Sequence, residues 1–190
     1  MKKGCLLVIS GPSGVGKGTI VKALLEKQDN ISLSVSCTTR APREGEVDGT
    51  HYYFITKDEF RRMIDEGSFL EYEANFSNFY GTPLGKVQEK LDAGQDVILE
   101  IDVKGGLNVK KKLPEAVLIF ILPPSLEILR ERLAGRGTET EEQIEKRFSE
   151  AEREIAAGKA YDHNIVNDTL AQAVDDIIGI INKTHTESEE

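Results

Sequence analysis

Residues 11–19 read G-P-S-G-V-G-K-G-T, directly after the apolar run C-L-L-V-I at 5–9. A short buried strand followed by a Gly-rich turn that ends in Gly-Lys is the pattern of a phosphate-binding loop. The four glycines let successive backbone N–H groups converge on a phosphate without Cβ interference, and the helix that follows offers its positive N-terminus. Lys17 adds a mobile cation that can follow charge between neighbouring phosphates. Gly11, Pro12, Ser13, Gly14, Val15, Gly16, Lys17, Gly18 and Thr19 are therefore the candidate phosphate-binding residues. A plain strand-to-helix turn would account for two glycines, but not for four with a Lys at this spacing.

The loop departs from the usual pattern at Gly18, where a Ser or Thr hydroxyl normally ligates Mg²⁺. Thr19 is better placed for another phosphate oxygen. The expected cofactor is thus Mg²⁺ held by the nucleotide and water, with no direct side-chain ligand, which suits an ion that sheds its hydration shell reluctantly.

Working outward, 190 residues suit one core domain with inserted arms. The formal net charge of −9 argues against a nucleic-acid partner. Two cysteines are too few for a disulfide framework and fit reduced thiols in a cytoplasmic protein. The run after Met-Lys-Lys breaks at Ser10-Gly11, too early for a signal peptide or a membrane span. The polar tail from Thr184 is expected to fray.

Strand-like apolar runs recur at 6–9, 97–101, 117–122 and 165–166 with helical patterns between them, which predicts a parallel sheet flanked by helices. The first helix is expected over 16–27, with Ile20, Val21, Leu24 and Leu25 on one face. Residues 38–80 break the rhythm. Pro42, Gly45 and Gly49 precede a strand at 51–55, a short helix near 57–66 and a strand near 69–76, together a small, mostly antiparallel arm. Pro83 opens a helix that Gly94 stops. A further helix follows Pro123-Pro124-Ser125 to about 133, and after the turn Gly135-Arg136-Gly137 a long charged helix runs to about 157. The expected division is core at 1–35, arm at 36–83, core at 84–125, a helical lid at 126–157, and core with a C-terminal helix at 158–190.

Arg40 and Arg43 lie three residues apart on a loop braced by Pro42, and their planar donor forks suit a phosphate. Tyr52 and Tyr80 are candidates for phenolic donors to the same group, or for packing in the arm. Glu71 is an acid among apolar strand neighbours: either an exposed-face Glu or an acceptor for two adjacent donors such as guanine N1–H and its N2 amine. Ser36 and Thr82 could supply hydroxyl partners for O6 and N7.

With those residues stand S-V-S-C-T-T-R-A-P-R at 34–43, G-E-V-D-G-T-H-Y at 45–52, F-L-E-Y at 69–72, N-F-Y-G-T at 78–82, L-E-I-D at 99–102, R-L-A-G-R-G-T-E-T at 132–140 and I-V-N-D at 165–168. In this order, and over nearly the whole chain, the sequence resembles the guanylate kinases. The resemblance implies a P-loop NTPase core with two mobile arms, one binding GMP and one closing over ATP. It implies that Ser36, Glu71 and Thr82 read the guanine, and that Arg40, Arg43, Tyr52 and Tyr80 hold the GMP phosphate. It puts Asp102 at the acceptor end with its role open, and Asn167 near the adenine. Arg136 and Arg147 match lid arginines that reach the transferring phosphates, with Arg132 a weaker match. The implied reaction is ATP + GMP giving ADP + GDP. Guanylate-kinase-like domains also serve as non-catalytic protein-binding modules, but those typically lose the loop residues that are intact here.

Overall fold

The structure, a computed structural model, describes residues 3–75, 77–135 and 140–187. The core sheet has five strands in the order β2-β7-β1-β8-β9: β1 (Leu6–Ser10), β2 (Ile31–Leu33), β7 (Asp96–Glu100), β8 (Val117–Leu122) and β9 (His163–Val166). All its pairings are parallel. Every residue of β1 is buried, because helices cover both faces of the sheet, as parallel strands require. Alternation sorts the side chains. Leu7 and Ile9 join Ile20 and Leu24 of α1 (Lys17–Lys27) and Val174 and Ile177 of α7 (Leu170–Glu187) on one face. Leu6 and Val8 join Val87 of α3 (Leu84–Asp92) and Val109 of α4 (Val103–Lys112) on the other.

The arm is a second sheet, ordered β4-β3-β6-β5, made of β3 (Cys37–Thr38), β4 (Tyr53–Phe54), β5 (Phe69–Asn75) and β6 (Asn78–Pro83), with α2 (Lys57–Asp65) packed against it. Its β3–β6 and β5–β6 pairings are antiparallel and β3–β4 is parallel. Phe60 stacks between Phe69 and Phe79 to give it a small core of its own. α5 (Leu126–Ala134) and α6 (Glu141–Gly158) pair through Leu129, Leu133, Ile144 and Ala151, while Ile155 ties α6 to the main core.

The α/β core, the inserted arm and the first helix stand as expected, and Leu25 packs half-buried against the core. Two expectations differ. The strand read at 51–55 forms a ladder only at Tyr53–Phe54, with Tyr52 in an isolated bridge to Asp48, because the turn around Gly49 (φ +74°) takes His51 into a hydrogen bond with the Val47 N–H. The C-terminal helix does not fray at Thr184 but runs to Glu187: Thr184 donates to the Ile180 carbonyl, and His185 Nε2 lies 2.9 Å from Asp96 Oδ2. The helical pattern read without bounds between the strands at 97–101 and 117–122 is α4, Val103–Lys112.

Candidate active site

The phosphate loop runs from the end of β1 to the start of α1. Gly16, with φ +98°, is the N-cap, a left-handed conformation that glycine adopts without strain. A Cβ there would stand 2.7 Å from Asn167 Nδ2. That amide is buried and donates to the Val15 carbonyl at 2.8 Å. Arg132 Nη1 reaches the same carbonyl at 3.4 Å. Lys17 folds back over the loop, donating to the Gly11 and Pro12 carbonyls. Burial lowers its pKa, and the negative charges of Glu154, Glu100 and Asp102 oppose the shift.

Pro12, Ser13, Gly14, Gly16, Lys17, Gly18 and Thr19 line a cavity of about 490 Å³ with Glu100. α6 reaches this loop from the lid. Arg147 Nη2 donates to Ser13 Oγ, and the charge of Glu154, two turns further along, bears on Lys17. Arg136 lies outside the described residues.

Glu100 also lines the neighbouring acceptor cavity of about 220 Å³, shared with Ser36, Tyr52, Glu71, Tyr80 and Asp102. Ser36 and Tyr52 continue into a third cavity of about 310 Å³, where Thr82 appears. The phosphate and acceptor cavities thus meet at one carboxylate on the C-terminal end of β7, where ligand sites of parallel sheets gather.

Glu71 is only 8 % exposed. A bulge between Phe69 and Glu71 sets it opposite Thr82, whose hydroxyl donates to Glu71 Oε1 at 2.6 Å. The single Thr82 hydroxyl proton is therefore committed to Glu71 rather than to a base. Burial raises the Glu71 pKa, with Thr82 opposing. Gly105 leaves room for the carboxylate, since a Cβ there would lie 3.3 Å from Glu71 Oε2. Asp102 caps α4 by accepting the Gly105 N–H at 2.7 Å.

Arg40 stacks over the Tyr52 ring at 5.0 Å, and the Tyr52 and Tyr80 rings lie 6.1 Å apart. Both terminal guanidinium nitrogens of Arg40, Nη1 and Nη2, donate to Glu46, each at 2.6 Å. The Arg43 side chain is exposed, while its N–H donates to Glu46 at 2.7 Å. The hydrogen bonds from Arg40, then that from the Arg43 N–H, hold Glu46 down at about 2.

Four acids were not singled out from the sequence: Glu46, Glu73, Glu100 and Glu154. Each had a signal. Glu46 and Glu100 stand inside quoted motifs, Glu73 shares a strand face with Glu71, and Glu154 lies seven residues beyond Arg147 on one helix face. Among the described residues no group of three or more His, Cys, Asp or Glu is arranged to hold a metal ion. None of the described helices is long and apolar enough to cross a membrane.

The family model described as Guanylate kinase matches residues 3–184. A guanylate kinase of Clostridioides difficile (strain 630) is 56% identical over 181 residues, covering 95% of this chain and 88% of the relative. One of Halalkalibacterium halodurans is 50% identical over 188 residues, covering 99% and 92%. The crystal structure of guanylate kinase from Anaplasma phagocytophilum superposes with a TM-score of 0.75 at 37% identity, over 97% of this chain and 87% of that one.

Proposed function

The chain belongs to the guanylate kinase family and is an ATP:GMP phosphotransferase, and we propose the following division of work among its residues. GMP lies in the acceptor cavity with its base edge on Glu71. One ionised carboxylate accepts both N1–H and an N2 hydrogen of guanine, whereas adenine offers an acceptor at N1 and no amine at C2. Thr82 orients that carboxylate, Ser36 supplies a hydroxyl to the base, and Asp102 lies at the same end. Arg40, Arg43, Tyr52 and Tyr80 take the GMP phosphate, with Arg40 exchanging Glu46 for it. The phosphates of ATP lie in the loop at 11–19, with Asn167 and Arg132 supporting the loop from beside it. The buried carboxylate of Glu71, in a cavity joined through Glu100 to the phosphate loop, carries this reading.

An oxygen of the GMP phosphate attacks the γ-phosphorus in line as the bond to ADP breaks. That oxygen is already ionised at neutral pH, so no strong general base is required. Positioning and charge neutralisation by Lys17 and the lid arginines Arg147 and Arg136 carry the acceleration, with Arg136 assigned by the resemblance alone. Mg²⁺ would arrive on ATP and would supply positive charge against the phosphates held by the loop at 11–19. The loop fits such an ion, since Gly18 offers no hydroxyl and the cavity leaves room for the water shell. Closure of the arm (36–83) and the lid (126–157) excludes water that would otherwise accept the phosphoryl group. We place the enzyme in the cytoplasm, in purine nucleotide metabolism.

ADP release measured with ATP, Mg²⁺ and GMP, dGMP, AMP, IMP, CMP or UMP tests the assignment. GMP should exceed AMP and the pyrimidine nucleotides by orders of magnitude; comparable use of AMP would overturn it.

A further inference from the structure

β1 ends at Ser10, one residue before the phosphate loop, and Ser10 is fully buried. Its hydroxyl lies 2.8 Å from the Ile101 carbonyl and 3.2 Å from that of Asp102, in the turn between β7 and α4. The Tyr161 hydroxyl, also buried, comes to 2.8 Å from Ser10 Oγ and 3.1 Å from the Val103 carbonyl. Tyr161 stands between the end of α6 and the start of β9. Three parts of the site therefore meet at two hydroxyls: the phosphate loop, the end of β7 that puts Glu100 and Asp102 into the acceptor cavity, and the root of α6.

The surroundings are shaped to hold the Tyr161 hydroxyl there. A Cβ at Gly106 would stand 2.0 Å from it, so α4 carries a glycine, at a cost in helix propensity, where the hydroxyl enters. The ring packs edge-on against Phe120 of β8, with centroids 5.6 Å apart. The next residue, Asp162, accepts the Leu118 N–H at 2.8 Å and a bond from Lys110 at 2.9 Å. Each hydroxyl has one proton to give. The Asp102 carbonyl already accepts the Gly106 N–H at 3.0 Å, and the Val103 carbonyl belongs to the first turn of α4, whose carbonyls bond along the helix. The chain therefore runs from Tyr161 to Ser10 to the Ile101 carbonyl. Burial pushes the Tyr161 hydroxyl up to about 12, so it keeps its proton at neutral pH.

We propose that Ser10 and Tyr161 are positioning residues for phosphoryl transfer, their hydroxyl chain fixing the phosphate loop against the acceptor turn so that the GMP phosphate meets the γ-phosphorus in line. The register of β1 with β7 ends at the pair Ile9–Glu100. Ser10 carries the tie one residue further, to the point where the two chains diverge toward the two substrates. Neither residue lines the phosphate or the acceptor cavity, so each acts through the main chain. The proposal rests on ATP lying in the loop and GMP in the acceptor cavity.

The test is single-turnover phosphoryl transfer, followed by rapid quench, in Tyr161→Phe, Ser10→Ala and the double variant, with the KM for each nucleotide. Single turnovers are read because product release sets many kcat values. Tyr161→Phe keeps the ring against Phe120 and loses only the hydroxyl. Its rate constant should fall by about ten- to a hundredfold, the scale for a misplacement of about 1 Å, with both KM values within about twofold of the parent. Ser10→Ala carries the same expectation on its own. The double variant should be no slower than the slower single one, because one chain is broken in all three. A side chain that only stabilised the fold would lower the amplitude, which counts folded sites, and leave the rate constant alone. A parent-like rate constant in the folded variants, a loss carried by KM, or losses that multiply in the double variant would overturn the proposal. The parent's preference for GMP over IMP separates this from the reading beneath it. Without that preference the acceptor placement fails; with it, these outcomes bear on Ser10 and Tyr161 alone.

Discussion

The side-chain amide of Asn167 donates to the main-chain oxygen of Val15 at 2.8 Å, so the turn after the edge strand β9 holds the phosphate loop in place. The contact is buried and sits against Gly16, whose missing side chain makes it possible. Asn167→Ala should raise the KM for ATP more than that for GMP. It should also cost about 0.5–1.5 kcal/mol of stability, the net worth of one hydrogen bond, since the Val15 carbonyl keeps only the longer bond from Arg132. Steady-state kinetics and thermal unfolding on one preparation check both; an unchanged KM for ATP would remove the loop-holding role.

Among the described residues Lys17 donates to carbonyls of its own loop, Gly11 and Pro12, and its lowered pKa reflects burial of its charge. Lys17→Ala should therefore leave the fold intact while lowering kcat by about 10²–10³ or more, the scale for losing a charge aimed at a transferring phosphate. Near-normal turnover in a folded variant would contradict the mechanism.

Arg40 and Arg43 differ in what they leave behind. Arg43→Ala removes an exposed cation but keeps the main-chain bond to Glu46. Arg40→Ala removes a cation and also strands the Glu46 carboxylate beside the proposed phosphate position. Both should raise the KM for GMP with little effect on ATP, Arg40→Ala by about tenfold or more and the larger of the two. A rise confined to ATP would assign the arm to the wrong substrate.

The same pair sets an acid response. Glu46 is lowered from 4.5 to about 2, chiefly by its hydrogen bonds to Arg40. A depressed carboxylate contributes stability that is present above its unfolded value and lost as pH falls through the folded one. Between about pH 4.5 and 2 the parent should lose arm stability that Glu46→Gln, with no charge to neutralise, does not lose. Thermal melts over that range check it; parallel curves would mean that the ion pair is screened away.

The parallel core was legible because β1, β7 and β8 are built on apolar runs, and the loop was legible from its glycine spacing with Lys17 after a strand. α4 was legible only as a helix without bounds. Its V-K-G-G-L-N-V stretch carries two adjacent glycines, which lower helix propensity by about 1 kcal/mol each. Packing demands the second, since a Cβ at Gly106 would lie 2.0 Å from the Tyr161 hydroxyl, and the first sits closely against the site, where a Cβ at Gly105 would lie 3.3 Å from Glu71. Only the folded neighbours explain those residues. In the site, the arginines and Glu71 were readable from residue type and motif, whereas Glu46 and Glu154 matter through partners distant in sequence or hidden by a turn.

The most direct test of the account is the acceptor preference of Glu71→Gln. Gln puts a donor where one of two acceptor oxygens stood, in a site where Thr82 already donates to the other. A site built around paired buried groups can reject an analogue lacking the partner by about 10⁴–10⁵. Measured as kcat/KM with saturating ATP, the parent should favour GMP strongly over AMP, with IMP between them. Glu71→Gln should lose GMP activity and narrow the gap between GMP and IMP. If the folded variant keeps the parent's GMP-to-IMP ratio, Glu71 does not read the base.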